Sequence, residues 1–167
     1  MSAIRVHAFA VGLIGLLAAV SAVGQPHRPA PTFETTVVSA RIQPGVTAHL
    51  RLKVVLPDGL HVQSDKPRDP ALVATSLTLS APDGVSVLRT TYPKATDLAQ
   101  PGLDEPLSVF SGTFDIDMDV AISRSVHPGT LAVAGQLRYQ SCTDQVCFPP
   151  SRAALTWNVK VNAPARD

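Results

Sequence analysis

Four stretches of this chain alternate between two kinds of position, and that period constrains the fold more than any other feature. Leu50, Leu52, Val54 and Leu56 alternate with His49, Arg51, Lys53 and Val55. Phe114, Ile116, Met118 and Val120 alternate with Asp115, Asp117 and Asp119. Leu131, Val133, Leu137 and Tyr139 alternate with Ala132, Ala134, Gln136, Arg138 and Gln140, and Leu155, Trp157, Val159 and Val161 with Ala154, Thr156, Asn158 and Lys160. A period of two sets one row of side chains in a core and the other in water. The 15 prolines and 10 glycines leave few stretches in which a helix could compete.

Weaker strands are expected at 33–42, 59–63, 72–80 and 84–91. Turn signals separate the strands: Pro44-Gly45, Pro57-Asp58-Gly59, Pro82-Asp83-Gly84 and Pro128-Gly129. About eight strands at that spacing predict an all-β, antiparallel sandwich of the immunoglobulin-like type, with a closed barrel as the alternative. Hydrophobic residues make up 45% of the 167, enough for a packed core. Neither an internal repeat nor a second domain is evident. Pro93 to Pro106 is polar, aperiodic and proline-containing, so it reads as a long loop, a common place for function.

Residues 1–24 read as a secretory signal peptide. Arg5 precedes an apolar run from Ala8 to Val20, and small residues allow cleavage after Ala22 or Gly24. The run is short of the roughly 20 residues a spanning helix needs, which disfavours a membrane anchor. The Pro-rich residues 25–32 read as an extended leader, and 33–163 as the folded domain. Removing Arg5 lowers the 14 basic residues to 13, equal to the 13 acidic ones. A neutral chain does not attract a polyanion, so nucleic acid is a poor partner. The expectation is an exported monomer without membrane insertion of the mature chain, its cysteines in an oxidising compartment.

Both cysteines lie in Leu137-Arg-Tyr-Gln-Ser-Cys-Thr-Asp-Gln-Val-Cys-Phe-Pro-Pro150. A tight hairpin can bring Cys142 and Cys147 within bonding reach. If the preceding alternation continues, Cys142 shares the wet face with Arg138 and Gln140. Closing so small a loop removes little chain entropy, about 2 kcal/mol against about 4.7 for a 100-residue loop. The pair is therefore better placed for exchange than for stapling, although a structural disulfide in a binding or assembly module is the rival reading. Exchange needs an attacking thiolate and a second thiol to resolve the mixed disulfide. Asp144 would disfavour a nearby thiolate. Pro149 and Pro150 lack amide donors and should end the hairpin.

Tyr139-Gln140-Ser141-Cys142, with Asp144, Cys147, Phe148, Pro149 and Pro150, resembles the active-site stretch of the N-terminal periplasmic domain of the thiol:disulfide interchange protein DsbD. Gly59 to Pro67, Thr75-Ser76-Leu77, Tyr92-Pro93-Lys94 and Phe110-Ser111-Gly112 are similar to other segments of that family. The resemblance implies an immunoglobulin-like fold and an oxidoreductase role in which electrons pass between thioredoxin-fold periplasmic proteins. It implies that Cys147 forms the mixed disulfide and Cys142 resolves it. It also implies a cap loop, matched here by Pro93 to Pro106, with Leu103, Asp104 and Glu105 as shielding residues. Three departures stand out. The cysteines are separated by four residues rather than five, Leu103 stands for an aromatic cap residue, and no membrane or thioredoxin-like segment follows. A separate membrane electron donor is then expected.

His61 falls in a family-like segment and is a candidate for the active-site surroundings, although a half-buried strand residue is the plainer reading. Asp115, Asp117 and Asp119 read as a solvated strand face. No cofactor is expected. Copper or zinc at Cys142, Cys147 and His61 lacks an evident fourth ligand, so no metal is expected either.

Overall fold

The computed structural model describes residues 30–164. The signal peptide assigned to 1–24, and all but the end of the leader, lie outside the described residues. All elements within them are strands: β1 (Thr32–Val37), β2 (Thr47–Val55), β3 (His61–Gln63), β4 (Ser76–Ser80), β5 (Val85–Thr91), β6 (Thr96–Leu98), β7 (Leu107–Ser111), β8 (Thr113–Ile122), β9 (Gly129–Tyr139), β10 (Ser141–Cys142) and β11 (Ser151–Val161). Thr32, expected in the leader, already pairs with Val55.

Three sheets form, ordered β1-β2-β8-β5, β11-β9-β4 and β10-β3-β7-β6, and every strand pairing is antiparallel. The first two sheets face each other across the core, giving the immunoglobulin-like sandwich. Leu50, Leu52, Val54, Ile116, Met118 and Val120 enter from one side, and Val133, Leu137, Trp157 and Val159 from the other. These are the apolar rows of the four alternating stretches. Burying each large aliphatic side chain contributes about 1.5–3 kcal/mol. Trp157, 1% exposed, donates its indole N–H to the Arg51 carbonyl across the sandwich at 2.9 Å. Gly135 sits beneath its ring, where a Cβ would lie 2.8 Å from Cζ3 and 2.9 Å from Leu79 Cδ2.

The opposite row of β2 and β8 is a ladder of charge. His49, Arg51 and Lys53 lie in register with Asp119, Asp117 and Asp115. Arg51 meets Asp117 at 2.7 Å and Asp115 at 3.4 Å, and Arg89 reaches Asp119 at 2.8 Å. Hydrogen bonds from His49 and then Arg89 hold the Asp119 carboxyl below its ordinary pKa.

Eleven strands appear among the described residues, where the alternation marks about eight. The additional ones are β6, β7 and β10, and two of these have only two or three residues, too few to establish a period. They belong to the third sheet, which carries the cysteines. The expected loop from Pro93 to Pro106 is accordingly not continuous, because Thr96–Leu98 pair with Val109–Leu107.

Candidate functional site

Ser151 lies directly opposite Tyr139, so β9 and β11 form one long hairpin. Everything from residue 140 to 150 is an excursion from its end. Pro149 and Pro150 have no amide hydrogens, and the β11 ladder begins immediately after them, at Ser151. At the other end the chain leaves its sheet at Gln140. Ser141 and Cys142 then pair with Val62 and His61 of β3.

This change of sheet overturns one expectation. Continuing the β9 alternation puts Cys142 on the wet face, but it is 0% exposed. Parity holds only within a continuous strand, and β10 answers to a different partner. Cys147 is exposed. The two are bonded, with an S–S distance of 1.99 Å and a Cα separation of 4.0 Å, across a lone antiparallel bridge.

Local hydrogen bonds shape the loop. Thr143 N donates to the Val146 carbonyl at 2.8 Å, and Phe148 N to the Ser141 carbonyl at 2.9 Å. Thr143 Oγ1 accepts from the amides of Gln145 and Val146 at 3.2 and 3.1 Å. A Thr followed by polar residues is the sequence signal for such a turn. Gln140 Nε2 donates to the Phe148 carbonyl at 3.0 Å, tying the two limbs together. Asp144, Gln145 and Val146 stand at the exposed tip.

Behind the loop, Tyr139 packs its ring 5.5 Å from that of Phe33, and half-buried Phe148 packs on the core. Beside it lies a recess of about 440 Å³, lined by residues that include Leu60, His61, Asp97, Leu98, Val109 and Asp144. His61 is 5% exposed, and its Nε2 has no hydrogen-bond partner. Burial pushes its pKa below the ordinary imidazole value, and the Asp144 carboxylate opposes that shift. Gln63, two residues along on the same face, is also buried without a partner for either side-chain amide atom.

Leu103 N donates to the Gln100 carbonyl at 3.2 Å, and Asp104 and Glu105 follow it. All three line a second recess with Arg68, Asp69 and Leu72, which contains neither cysteine. The part of the Pro93–Pro106 segment that reaches the cysteine loop is Gln100, whose Nε2 donates to the Asp144 carbonyl at 3.3 Å. Arg68 braces this segment through the Pro106 carbonyl at 2.6 Å and Asp97 at 2.7 Å. Neither Gln100 nor Arg68 carried a sequence signal, because each acts across a long loop closure. Among the described residues, no group of three His, Cys, Asp or Glu could hold a metal ion.

A small antiparallel sandwich with one disulfide, open at one sulfur and closed at the other, defines a class of domain built around a cysteine pair. The family model for the N-terminal domain of the thiol:disulfide interchange protein DsbD matches residues 26–157, and the chain belongs to that family. Among solved structures it is similar to the N-terminal domain of DsbD from Neisseria meningitidis in the reduced form. That match has 14% identity and a TM-score of 0.48, covering 75% of this chain and 83% of the other. It is also similar to the N-terminal periplasmic domain of ScsB from Proteus mirabilis, with 17% identity and a TM-score of 0.55. Here 84% of this chain is covered but only 51% of the other. No curated protein sequence matches it.

Proposed function

We propose that this domain passes electrons between thioredoxin-fold proteins of the periplasm by exchanging the Cys142–Cys147 disulfide. Cys147 forms the mixed disulfide with the visiting protein and Cys142 resolves it. The observation that carries this reading is the asymmetry of the pair: Cys142 is 0% exposed and Cys147 is open to solvent. Exchange is selective for the sulfur that an incoming thiolate can reach. Family membership supports both the periplasmic setting and the class of partner.

The loop favours this use. A bridge across so few residues contributes about 2 kcal/mol to the fold, so opening it leaves the sandwich standing. Tyr139, Phe148, Pro149 and Pro150 form the rigid base of the loop. In this reading the shield is the segment from Leu98 through Gln100 to Leu103, Asp104 and Glu105, braced by Arg68 and turned back on itself by the Leu103 N–H to Gln100 carbonyl bond at 3.2 Å. A separate membrane-bound protein supplies the electrons, and the domain works as a monomer spanning 33–163 after removal of a signal peptide at 1–24.

The test is trapping in periplasmic extract. Cys142→Ala should accumulate a disulfide-linked complex with a thioredoxin-fold protein, whereas Cys147→Ala should not. Equal trapping by both variants, or by neither, would return the pair to a structural role.

A further inference from the structure

We propose that His61 holds the proton that Cys142 gives up, and takes back, when the disulfide changes hands. This rests on the exchange reading above and adds the proton carrier that such chemistry needs.

Cys142 must attack as a thiolate, yet it sits where water does not reach it. A buried thiol is hard to ionise unless a base stands beside it. His61 is its register partner across β10 and β3. Side chains of such a pair share one face of the sheet, with Cβ atoms about 4.5–5.5 Å apart. Their neighbours Val62 and Phe110 belong to the other face, in the main core. A residue serving only to pack at this position would be apolar. A buried imidazole nitrogen without a partner instead carries an unrepaid cost of lost hydration. That nitrogen, Nε2, has no other partner to compete for it.

The recess supplies the rest. His61 lines it together with Asp144 from the cysteine loop, Asp97 from β6 and Ser111 from β7. The Asp144 carboxylate favours imidazolium once a proton arrives, whereas Asp97 is paired with Arg68. Burial outweighs Asp144 in the resting protein and keeps the ring neutral, ready to accept. The recess reaches solvent, so the proton can leave.

The step balances as follows. In the mixed disulfide, the Cys142 thiol gives its proton to His61 Nε2. Its sulfur attacks Cys147 Sγ, the Cys142–Cys147 bond forms, and the bond from Cys147 to the partner breaks. The partner leaves as a thiolate. The domain's dithiol has lost two electrons, and the partner's disulfide has gained them. In reverse, a partner thiolate attacks Cys147, Cys142 leaves as a thiolate, and the imidazolium returns the proton.

The experiment mixes the reduced full chain with oxidised glutathione, quenches in acid and weighs the products over a range of pH. In His61→Gln, capture of glutathione at Cys147 should keep its rate. Release of the second glutathione should slow at least about tenfold near pH 7 and lose its inflection in the imidazole range. Unchanged release, with the same pH profile, overturns the proposal. A second arm titrates the His61 ring by NMR in the oxidised and reduced wild-type chain. Coupling to Cys142 should move its midpoint between the two states by at least about half a unit, and identical curves overturn the proposal. If Cys147 captures no glutathione, the exchange reading fails, and the NMR arm still decides whether His61 and Cys142 share a proton.

Discussion

Cys142 and Cys147 face each other across a single antiparallel bridge, yet one is sealed by the sheet and the other stands in solvent. Bonded sulfurs with such different access are chemically unequal once separated. In the reduced chain, iodoacetamide should therefore alkylate Cys147 at least about tenfold faster than Cys142. Mass spectrometry of partially labelled protein reads this directly. Equal labelling would mean that the loop opens whenever the bridge does.

Reduction should cost little stability. The bridged segment is short, with a sequence separation of 5, and its neighbours are tied by backbone bonds that do not depend on sulfur. Denaturant unfolding should show a loss of about 2 kcal/mol on reduction, with an unchanged denaturant slope. A loss of twice that size, or a smaller slope, would show that the bridge organises the sandwich.

The core makes its own demand at Gly135. A methyl group there meets the Trp157 ring and Leu79, and both are packed. Gly135→Ala should destabilise the protein by about 1–3 kcal/mol through overpacking. Trp157→Phe removes the indole N–H that serves the Arg51 carbonyl, at a similar cost. Combined, the two changes should cost less than their sum, because the smaller ring vacates the space the new methyl needs. Thermal melts of the two single variants and the double variant measure that coupling, and strict additivity would refute the contact.

Legibility in the sequence followed the length of the strands. β2, β8, β9 and β11 have at least nine residues each, and their apolar rows could be read residue by residue. The third sheet could not. β3 has three buried residues in a row and β10 has two, so neither offers a period. The cysteine spacing was visible, but which cysteine is buried depends on β10 leaving one sheet for another at Gln140. Local periodicity does not encode that switch. The family resemblance points to Leu103, Asp104 and Glu105 as shielding residues within an aperiodic loop, where no period can rank one residue over another. The contact with the cysteine loop is made by Gln100, through a backbone carbonyl that any residue at 144 would present.

The buried imidazole of His61 should also leave its mark on stability against pH. Its pKa lies below the ordinary value of 6.5 in the folded chain, chiefly because burial disfavours the charged ring. Between the folded pKa and 6.5 the unfolded chain therefore binds more protons than the folded one. Stability must rise with pH across that window. Above it both states are neutral at this site and the penalty is gone, whereas below it both are protonated and the penalty is full. Asp119 acts in a lower range, because its depressed carboxyl contributes stability above 3.8 that is lost as pH falls through the folded value. His61→Leu should flatten the slope just below pH 6.5 and leave the acid limb intact. Urea unfolding of the oxidised chain at half-unit steps from pH 3 to 8 separates the two limbs. Parallel curves for wild type and variant between pH 5 and 6.5 would mean that the ring is protonated without cost where it sits, and the closed setting assigned to it would be wrong.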